Sequence, residues 1–402
     1  MPAHVVLGVG AGISAYKACE LLRLLTESGH KVRVVPTPDA LRFVGAATWA
    51  GLSGEPVSTD VWTDIALAPH VRLGQAADLV LVAPATADLL ARAAAGRADD
   101  LLTATLLTAT CPVAYAPAMH TEMWQHPATQ ANVALLRERG AVVIEPATGR
   151  LAGPDTGAGR LPDPAEIFAV ATHLLSGRTL DLKGRRVLVS AGGTREELDP
   201  VRFIGNWSSG TQGYALARTA VARGAEVTVV AANVALADPA GATVIRVVSA
   251  RDMQAAIASA AADADAIVMA AAVADYRPSQ RQDGKMKKDG HAPGPLQLTE
   301  NPDILAGLAA LRGPGGQVLV GFAAETDMSL GLAQAKLARK GCDLLVVNPV
   351  GGGLGFGTAD NEAVIYGADG SATEVLRGPK EALADVVWDL VAARLSEERL
   401  PG

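Results

Sequence analysis

The short run Arg186-Val187-Leu188-Val189 breaks directly into SAGGTREELDPVRFIGNWSSGTQG (190–213), and helical spacing of apolar residues resumes from Tyr214 to Arg223. The run before the break reads as a buried parallel strand, and the period after it as a helix stopped by Gly224. The stretch therefore lies where a strand turns into a helix, the edge on which open α/β sheets bind ligands. It far exceeds the roughly 2–6 residues of an ordinary strand-to-helix loop. Gly192-Gly193 lets backbone approach a ligand closely. Ser208, Ser209, Gly210 and Thr211 bring hydroxyls and N–H groups to a helix start, a setting that suits phosphate. Asn206 adds an uncharged donor and acceptor. A long capped surface loop is the competing reading, and the convergence of so many small polar residues at one strand end favours a site.

The same logic repeats along the chain. His4–Val9 reads as a first strand, Gly10-Ala11-Gly12-Ile13-Ser14 as a turn into a helix carrying Ala15 to Ser28, and Lys31–Val35 as a second strand. This βαβ opening has glycines at the turn, ready for a phosphate. The spacing is not GxGxxG, and Val35 leads to Pro36-Thr37-Pro38 with no acidic residue to read a ribose diol, so NAD is disfavoured. Further strands are predicted at 79–82, 112–115, 142–144, 227–230, 265–269 and 344–348, with helices between them. The alternation predicts an α/β protein of two three-layer αβα domains. The polar link between Gly177 and Gly184 sets the boundary, giving domains 1–178 and 179–402. Gly351 to Gly357 reads as a mobile glycine-rich loop, and Lys380 to Arg394 as a helix packed on the second sheet.

Composition excludes other classes. At 402 residues, with 49% hydrophobic and 19% charged side chains, the chain is globular. A net charge of −7 argues against nucleic acid or an anionic membrane surface as partner. Cys19, Cys111 and Cys342 are odd in number and widely spaced, which fits free thiols in a reducing cytoplasm. No basic leader and no long apolar span is seen, so a cytoplasmic location is expected.

Three polar groups stand out beyond the first stretch. His70, in Pro69-His70-Val71-Arg72, sits at a predicted helix start; it is either a solvated histidine or an acid/base. Asp275 follows an apolar strand end. Lys285, Lys287 and Lys288 form a run that is either solvated or a clamp on a nucleotide's phosphates.

Ordered motifs carry a resemblance over nearly the whole chain. They are AGISAYKACELLR (11–23), LSGEPVSTDVW (52–62), HVRLGQAADLVLVAPATADLLARAAAGRADDLL (70–102), PAMHTEMW (117–124) and GAGR (157–160). In the second half they are AGGTREELDPVRFIGNWSSG (191–210), AAAVADYRP (270–278), KMKK (285–288), NPDIL (301–305), GFAAET (321–326) and the spaced Lys336 and Lys340. The first half resembles the flavin-binding decarboxylases of 4′-phosphopantothenoylcysteine, and the second resembles the phosphopantothenate–cysteine ligases. Together they resemble the bifunctional coenzyme A biosynthesis proteins.

The resemblance implies a Rossmann-like flavoprotein domain followed by a Rossmann-like nucleotide-binding ligase domain. FMN would lie in the first, its phosphate near Gly12, Ser14 and Thr86, with Thr37 and Met119 beside the flavin. His70 matches the family's catalytic base. The flavin would oxidise the cysteinyl thiol to a thioaldehyde, providing the electron sink that lets carbon dioxide leave, and then return hydride to the ene-thiol. Two positions depart from the family pattern. His120 stands where an asparagine grips the substrate carboxylate, and Gly153 stands where many relatives carry a proton-donating cysteine. His120 or a water is the expected replacement donor.

In the second half the resemblance implies CTP with Mg2+. The carboxylate of 4′-phosphopantothenate would attack the α-phosphate to give an acyl-cytidylate and pyrophosphate, and L-cysteine's amine would displace CMP. Asn206 would orient that intermediate, and Lys285 would stabilise the developing charge. Ser208, Ser209, Gly210, Asp275, Pro302, Asp303, Ile304, Leu305, Phe322, Lys336 and Lys340 would contact the nucleotide. The family also implies homo-oligomers, with trimeric flavin domains and dimeric ligase domains. Gly153 keeps open a working ligase with an impaired flavin domain, and a flavoprotein acting as a binding or scaffold subunit is the third reading.

Overall fold

Leu79–Ala85 (LVLVAPA) is buried at every position, as expected of a strand covered on both faces of a parallel sheet. The computed structural model describes residues 2–62, 65–151, 155–177, 180–286, 295–312, 316–325, 330–349 and 360–397. Gly153, Lys287, Lys288 and the Gly351–Gly357 stretch lie outside them. The chain divides into two units, Met1–Thr179 with Pro239–Gly241, and Leu180–Asp238 with Ala242–Gly402.

The first unit runs β1 (His4–Val9), α1 (Ala18–Glu27), β2 (Lys31–Pro36), α2 (Ala46–Ser53), α3 (Pro69–Ala76), β3 (Leu79–Ala85), α4 (Ala87–Ala94), α5 (Leu101–Thr108), β4 (Val113–Pro117), α6 (Thr121–Gln125), α7 (Pro127–Glu138) and β5 (Val142–Val143). A hairpin of β6 (Ala147–Arg150) and β7 (Thr156–Arg160), then α8 (Pro164–Leu175), complete it. The sheet order is β2-β1-β3-β4-β5, every pairing parallel. Between β1 and β3 the order reverses, which places the switch point at the ends of those two strands. The helix expected at Ala15 begins instead as a 3-10 turn, Ile13–Lys17, and becomes α-helical at Ala18. Its preceding residue, Gly12, is extended and carries no side chain to cap the first turn.

The second unit runs β8 (Arg186–Gly192), β9 (Arg195–Glu197), β10 (Phe203–Gly205), α9 (Thr211–Ala222), β11 (Glu226–Ala232), β12 (Ala242–Val247), α10 (Ala250–Ala261), β13 (Ala266–Met269), β14 (Tyr276–Pro278), β15 (Leu298–Glu300), α11 (Ile304–Leu311), β16 (Val318–Glu325), α12 (Leu330–Lys340), β17 (Leu344–Pro349), β18 (Asp360–Gly367), β19 (Ala372–Pro379) and α13 (Lys380–Glu397). Its main sheet has the order β12-β11-β8-β13-β16-β17-β18-β19. The first six strands are parallel; β18 and β19 add an antiparallel edge that the strand–helix alternation did not predict. Here the order reverses between β8 and β13. The long stretch after β8 is not plain loop: β9 and β10 pair antiparallel within it, Phe203 opposite Glu197. Arg195 lies over the Phe203 ring at 4.7 Å, a cation–π contact that supports the hairpin.

α9 and α13 pack together on one face of this sheet. Trp388 is fully buried there and donates Nε1–H to the Leu216 carbonyl at 2.9 Å. Arg223, at the end of α9, is also fully buried, with its guanidinium paired to Asp181 and, at 2.9 Å, to Asp389.

Candidate active sites

In each unit some of the motif residues meet at its own switch point. In the first, Gly10 donates its N–H to the Pro84 carbonyl at 2.9 Å, tying the β1 turn to the end of β3. A Cβ on Gly10 would lie 2.5 Å from that carbonyl oxygen, so only glycine permits the approach. A Cβ on Gly12 would stand 3.7 Å from Thr86 Cγ2 and 3.9 Å from Ser14 Oγ. Gly12, Ser14 and Thr86 thus surround one space. Thr86 caps α4 by accepting the Leu89 N–H at 3.3 Å, which points that helix start at the same space. Thr37 follows β2, its N–H bonded to the Val9 carbonyl at 2.9 Å. Its side chain is buried and its Oγ1 has no hydrogen-bond partner.

The 117–121 segment joins this edge through Ala118, whose N–H bonds the Ala85 carbonyl at 3.0 Å. Met119 donates its N–H to Gly159 at 2.9 Å. Gly159 has φ +131°, and a Cβ there would meet the Met119 carbonyl oxygen at 2.4 Å. The GAGR strand therefore lies against the PAMH turn. His120 is exposed at the N-cap of α6 and makes no side-chain cap bond. His70 is half-buried in the first turn of α3; its Nδ1 is buried without a partner. Among the described residues no hydrogen bond joins His70 to Gly12, Ser14 or Thr86, so a ligand would have to connect them. Among the described residues, Thr121 Oγ1 and Arg160 Nε are the other buried side-chain atoms left without partners. Both lie inside motifs quoted above, PAMHTEMW and GAGR, but neither was singled out as a site residue. Burial pushes the thiols of Cys19, Cys111 and Cys342 above the ordinary cysteine value, so none is a ready thiolate.

A flavin fits this edge on two observations: the helix start at Thr86 and the orphaned Thr37 hydroxyl, since buried polar atoms left unpaired call for a ligand or water.

In the second unit, Gly193 bridges to Ala272. Ser190 Oγ accepts the Ala271 N–H at 3.0 Å and Thr194 Oγ1 accepts the Ala274 N–H at 2.9 Å. The glycine turn and the 270–275 segment are thereby fixed side by side. A Cβ on Gly193 would lie 2.8 Å from the Asn206 carbonyl oxygen and 3.3 Å from Ser208 Cβ. Asn206 reaches across, donating Nδ2–H to the Val273 carbonyl at 3.2 Å. Gly210 has φ +82° and precedes α9. Ser208 Oγ accepts the Gly210 N–H at 3.3 Å, and the Ser209 and Thr211 hydroxyls lie 2.7 Å apart.

Asn301 closes the ring. Its Nδ2–H donates to the Ala274 carbonyl at 2.8 Å, and its own N–H bonds the Asp275 carbonyl at 2.8 Å. This places exposed Asp275 next to the Pro302–Leu305 turn, where Asp303 caps α11 by accepting the Ala306 N–H at 3.2 Å. Ile304 is buried and Leu305 half-buried beneath that turn. Phe322 is half-buried on β16. Lys336 pairs with Glu325 at 2.7 Å and Lys340 with Asp303 at 2.6 Å. Lys285 is exposed, its ammonium unpaired among the described residues. No hydrogen bond links it to Asn206: the two occupy opposite ends of the β9–β10 hairpin. Ser190, Thr194 and Asn301 act here without having been singled out as site residues; Asn301 was visible only as the first letter of a motif. Among the described residues no three His, Cys, Asp or Glu side chains converge to hold a metal ion.

Among the described residues no helix is long and apolar enough to cross a membrane. The flavoprotein family model matches residues 1–176. The model of the DNA/pantothenate metabolism flavoprotein C-terminal domain matches 182–395. The chain is 57% identical to the coenzyme A biosynthesis bifunctional protein CoaBC of Mycobacterium tuberculosis, over 98% of each chain. It is 42% identical to the Vibrio cholerae protein of the same name, over 96% of this chain and 97% of that one. The crystal structure of the C-terminal domain of a protein so named superposes with a TM-score of 0.47 at 34% identity, covering 55% of this chain and all of that one.

Proposed function

The chain belongs to the family of bifunctional coenzyme A biosynthesis proteins, and on that premise we propose that it joins L-cysteine to 4′-phosphopantothenate and then decarboxylates the product to 4′-phosphopantetheine. We assign the ligase, using CTP with Mg2+, to 179–402 and the FMN-dependent decarboxylase to 1–178, in the cytoplasm. The observation that supports the reading is that motif residues of each half meet near where strand order reverses, Gly12 beside Thr86 and Gly193 beside Asn206.

In the ligase half, backbone N–H groups and hydroxyls of Ser208, Ser209 and Gly210 hold phosphate oxygens at the start of α9. Asp275, the Pro302–Leu305 turn and Phe322 surround the nucleoside, and Lys336 and Lys340 meet its phosphates. The substrate carboxylate attacks the α-phosphate, releasing pyrophosphate. Asn206 orients the acyl-cytidylate; the Lys285 ammonium stabilises charge as cysteine's amine displaces CMP.

In the decarboxylase half, Gly12, Ser14 and Thr86 hold the cofactor's phosphate, and Thr37 and Met119 line its ring. When bound, FMN supplies the electron sink that decarboxylation next to a thiol needs. His70 moves the proton at the substrate's thiol. His120, at the α6 N-cap, donates a hydrogen bond to the departing carboxylate, and it or a water returns the proton.

The test is purified protein with 4′-phosphopantothenate, cysteine, CTP, Mg2+ and FMN, its products followed by mass spectrometry. 4′-Phosphopantetheine is the expected product. Gly153, at the position of the family's donor cysteine, favours a second reading, a working ligase with an impaired flavin domain. Accumulation of phosphopantothenoylcysteine would select it. Absence of both products would overturn both.

A further inference from the structure

Lys285 lies on a segment with little regular structure, yet it must meet a reacting centre with sub-ångström accuracy if it is to stabilise a transition state. Something has to fix that segment. We propose that Asp199, buried in the turn of the β9–β10 hairpin, is the positioning residue for Lys285. The inference rests on the ligase reading above and adds a residue to it.

Asp199 is 1% exposed. One carboxylate oxygen accepts the N–H groups of Val201 and Arg202 at 2.7 and 2.8 Å, closing the hairpin turn. The other accepts the N–H of Met286, the residue after Lys285, at 3.1 Å. A single carboxylate thus joins the hairpin that leads to Asn206 to the backbone that carries Lys285. Three contacts complete the clasp. Arg202 Nη2 donates to the Met286 carbonyl at 3.0 Å. The Gln282 N–H donates to the Leu198 carbonyl at 2.9 Å, and Arg281 Nε to Glu197 at 2.6 Å.

The chemistry of the joint requires an anion. All three N–H groups point at one side chain, and a carboxylate has acceptor sites for all of them. An asparagine would turn its NH2 group toward one set of donors. Burial pushes the Asp199 carboxyl up, but the Met286, Val201 and Arg202 N–H groups and the Arg202 charge outweigh it and leave it below the ordinary aspartate value. It is therefore ionised throughout the range in which the ligase would work. The nearby Lys285 ammonium extends from the clasp without a partner among the described residues, free for an incoming anion.

The test uses the full-length chain and separates the two half-reactions. Pyrophosphate release with 4′-phosphopantothenate and CTP reports the first, and amide formation on adding cysteine reports the second. Decarboxylation of supplied phosphopantothenoylcysteine and the thermal melt report the fold. Asp199→Asn should slow amide formation about tenfold to a hundredfold, the loss expected for a misplacement near 1 Å, and the acyl-nucleotide should accumulate. KM for CTP should change less than about threefold, because the clasp does not touch the phosphate cradle. The double variant Asp199→Asn/Lys285→Gln should be no slower than Lys285→Gln alone, since one residue acts through the other. A structural role would instead slow both half-reactions together and multiply with Lys285→Gln. If Asp199→Asn does not fold, Arg281→Ala cuts the exposed end of the same clasp and should slow amide formation about twofold to fivefold. Amide formation at the wild-type rate in the folded variant, or a multiplicative double variant, overturns the assignment. If the wild-type chain itself makes no acyl-nucleotide from CTP, it is the ligase reading that fails.

Discussion

Lys340 Nζ lies 2.6 Å from Asp303 Oδ2, so a cation expected to meet nucleotide phosphates is held by the residue that caps α11. Burial raises the Asp303 carboxyl, but Lys340, the Ala306 N–H and Arg339 outweigh it and leave it below the ordinary aspartate value. A carboxyl whose value is lowered on folding adds stability at pH above its unfolded value, and that stability is lost as pH falls through the folded value. Asp303→Asn should keep the cap, as asparagine caps about as well as aspartate, and cost less than about 1 kcal/mol because the pair is half exposed. Denaturant melts across a pH series should show a wild-type advantage at neutral pH that vanishes in acid; a difference that persists at the lowest pH would contradict the assignment.

Glycines ten and twelve should respond oppositely to alanine. At Gly10 a Cβ would press on the Pro84 carbonyl at 2.5 Å, so Gly10→Ala should destabilise the first unit by about 1–3 kcal/mol. At Gly12 the nearest atoms stand 3.7 Å and more away and the backbone is extended, so Gly12→Ala should melt no lower than wild type. Its methyl would enter the space proposed for the cofactor's phosphate. Fluorescence titration should find FMN affinity weakened about tenfold or more, equivalent to about 1.4 kcal/mol. Unchanged affinity in that variant would move the phosphate elsewhere.

Thr37 Oγ1 is buried with no partner. A hydroxyl in that state costs about 1–3 kcal/mol, so Thr37→Val, nearly the same shape, should leave the cofactor-free protein as stable as wild type or more so. Loss of one hydrogen bond to bound flavin should weaken affinity about fivefold to tenfold. Melting the two proteins with and without FMN checks both halves of the prediction.

Arg223 is fully buried and answers to Asp181 and Asp389, and its Nη1 also donates to the Asp385 carbonyl at 2.9 Å. The cluster fastens the start of the second unit and α13 to the end of α9. Arg223→Ala leaves these acidic groups facing one another without their cation. Losing this buried side chain with its hydrogen bonds to carboxylates that are themselves about a third exposed should cost about 1–3 kcal/mol, seen as a lower denaturant midpoint for the second unit.

The sequence by itself determined the class of fold and which strand ends carry the motifs. A continuous apolar run such as Leu79-Val80-Leu81-Val82 between turn signals reads as a parallel strand covered on both faces, and what interrupts it falls at a sheet edge. That Gly12, Thr86, Gly193 and Ser208 fall near strand ends and helix starts was legible for that reason: such ends are local events, written within a few residues. Tertiary structure alone decided which ends are neighbours. Hydrogen bonds from Asn206 to Val273 and from Asn301 to Ala274 join segments far apart in the chain, and no local period encodes them. The antiparallel edge of β18 and β19 was hidden for the same reason, because strand direction is set by the partner across the ladder. Asp199 was invisible as a site residue because an aspartate before a proline reads as an ordinary turn. Only folding brings the Met286 N–H to its carboxylate, and only there does a turn residue come to hold the backbone that carries Lys285.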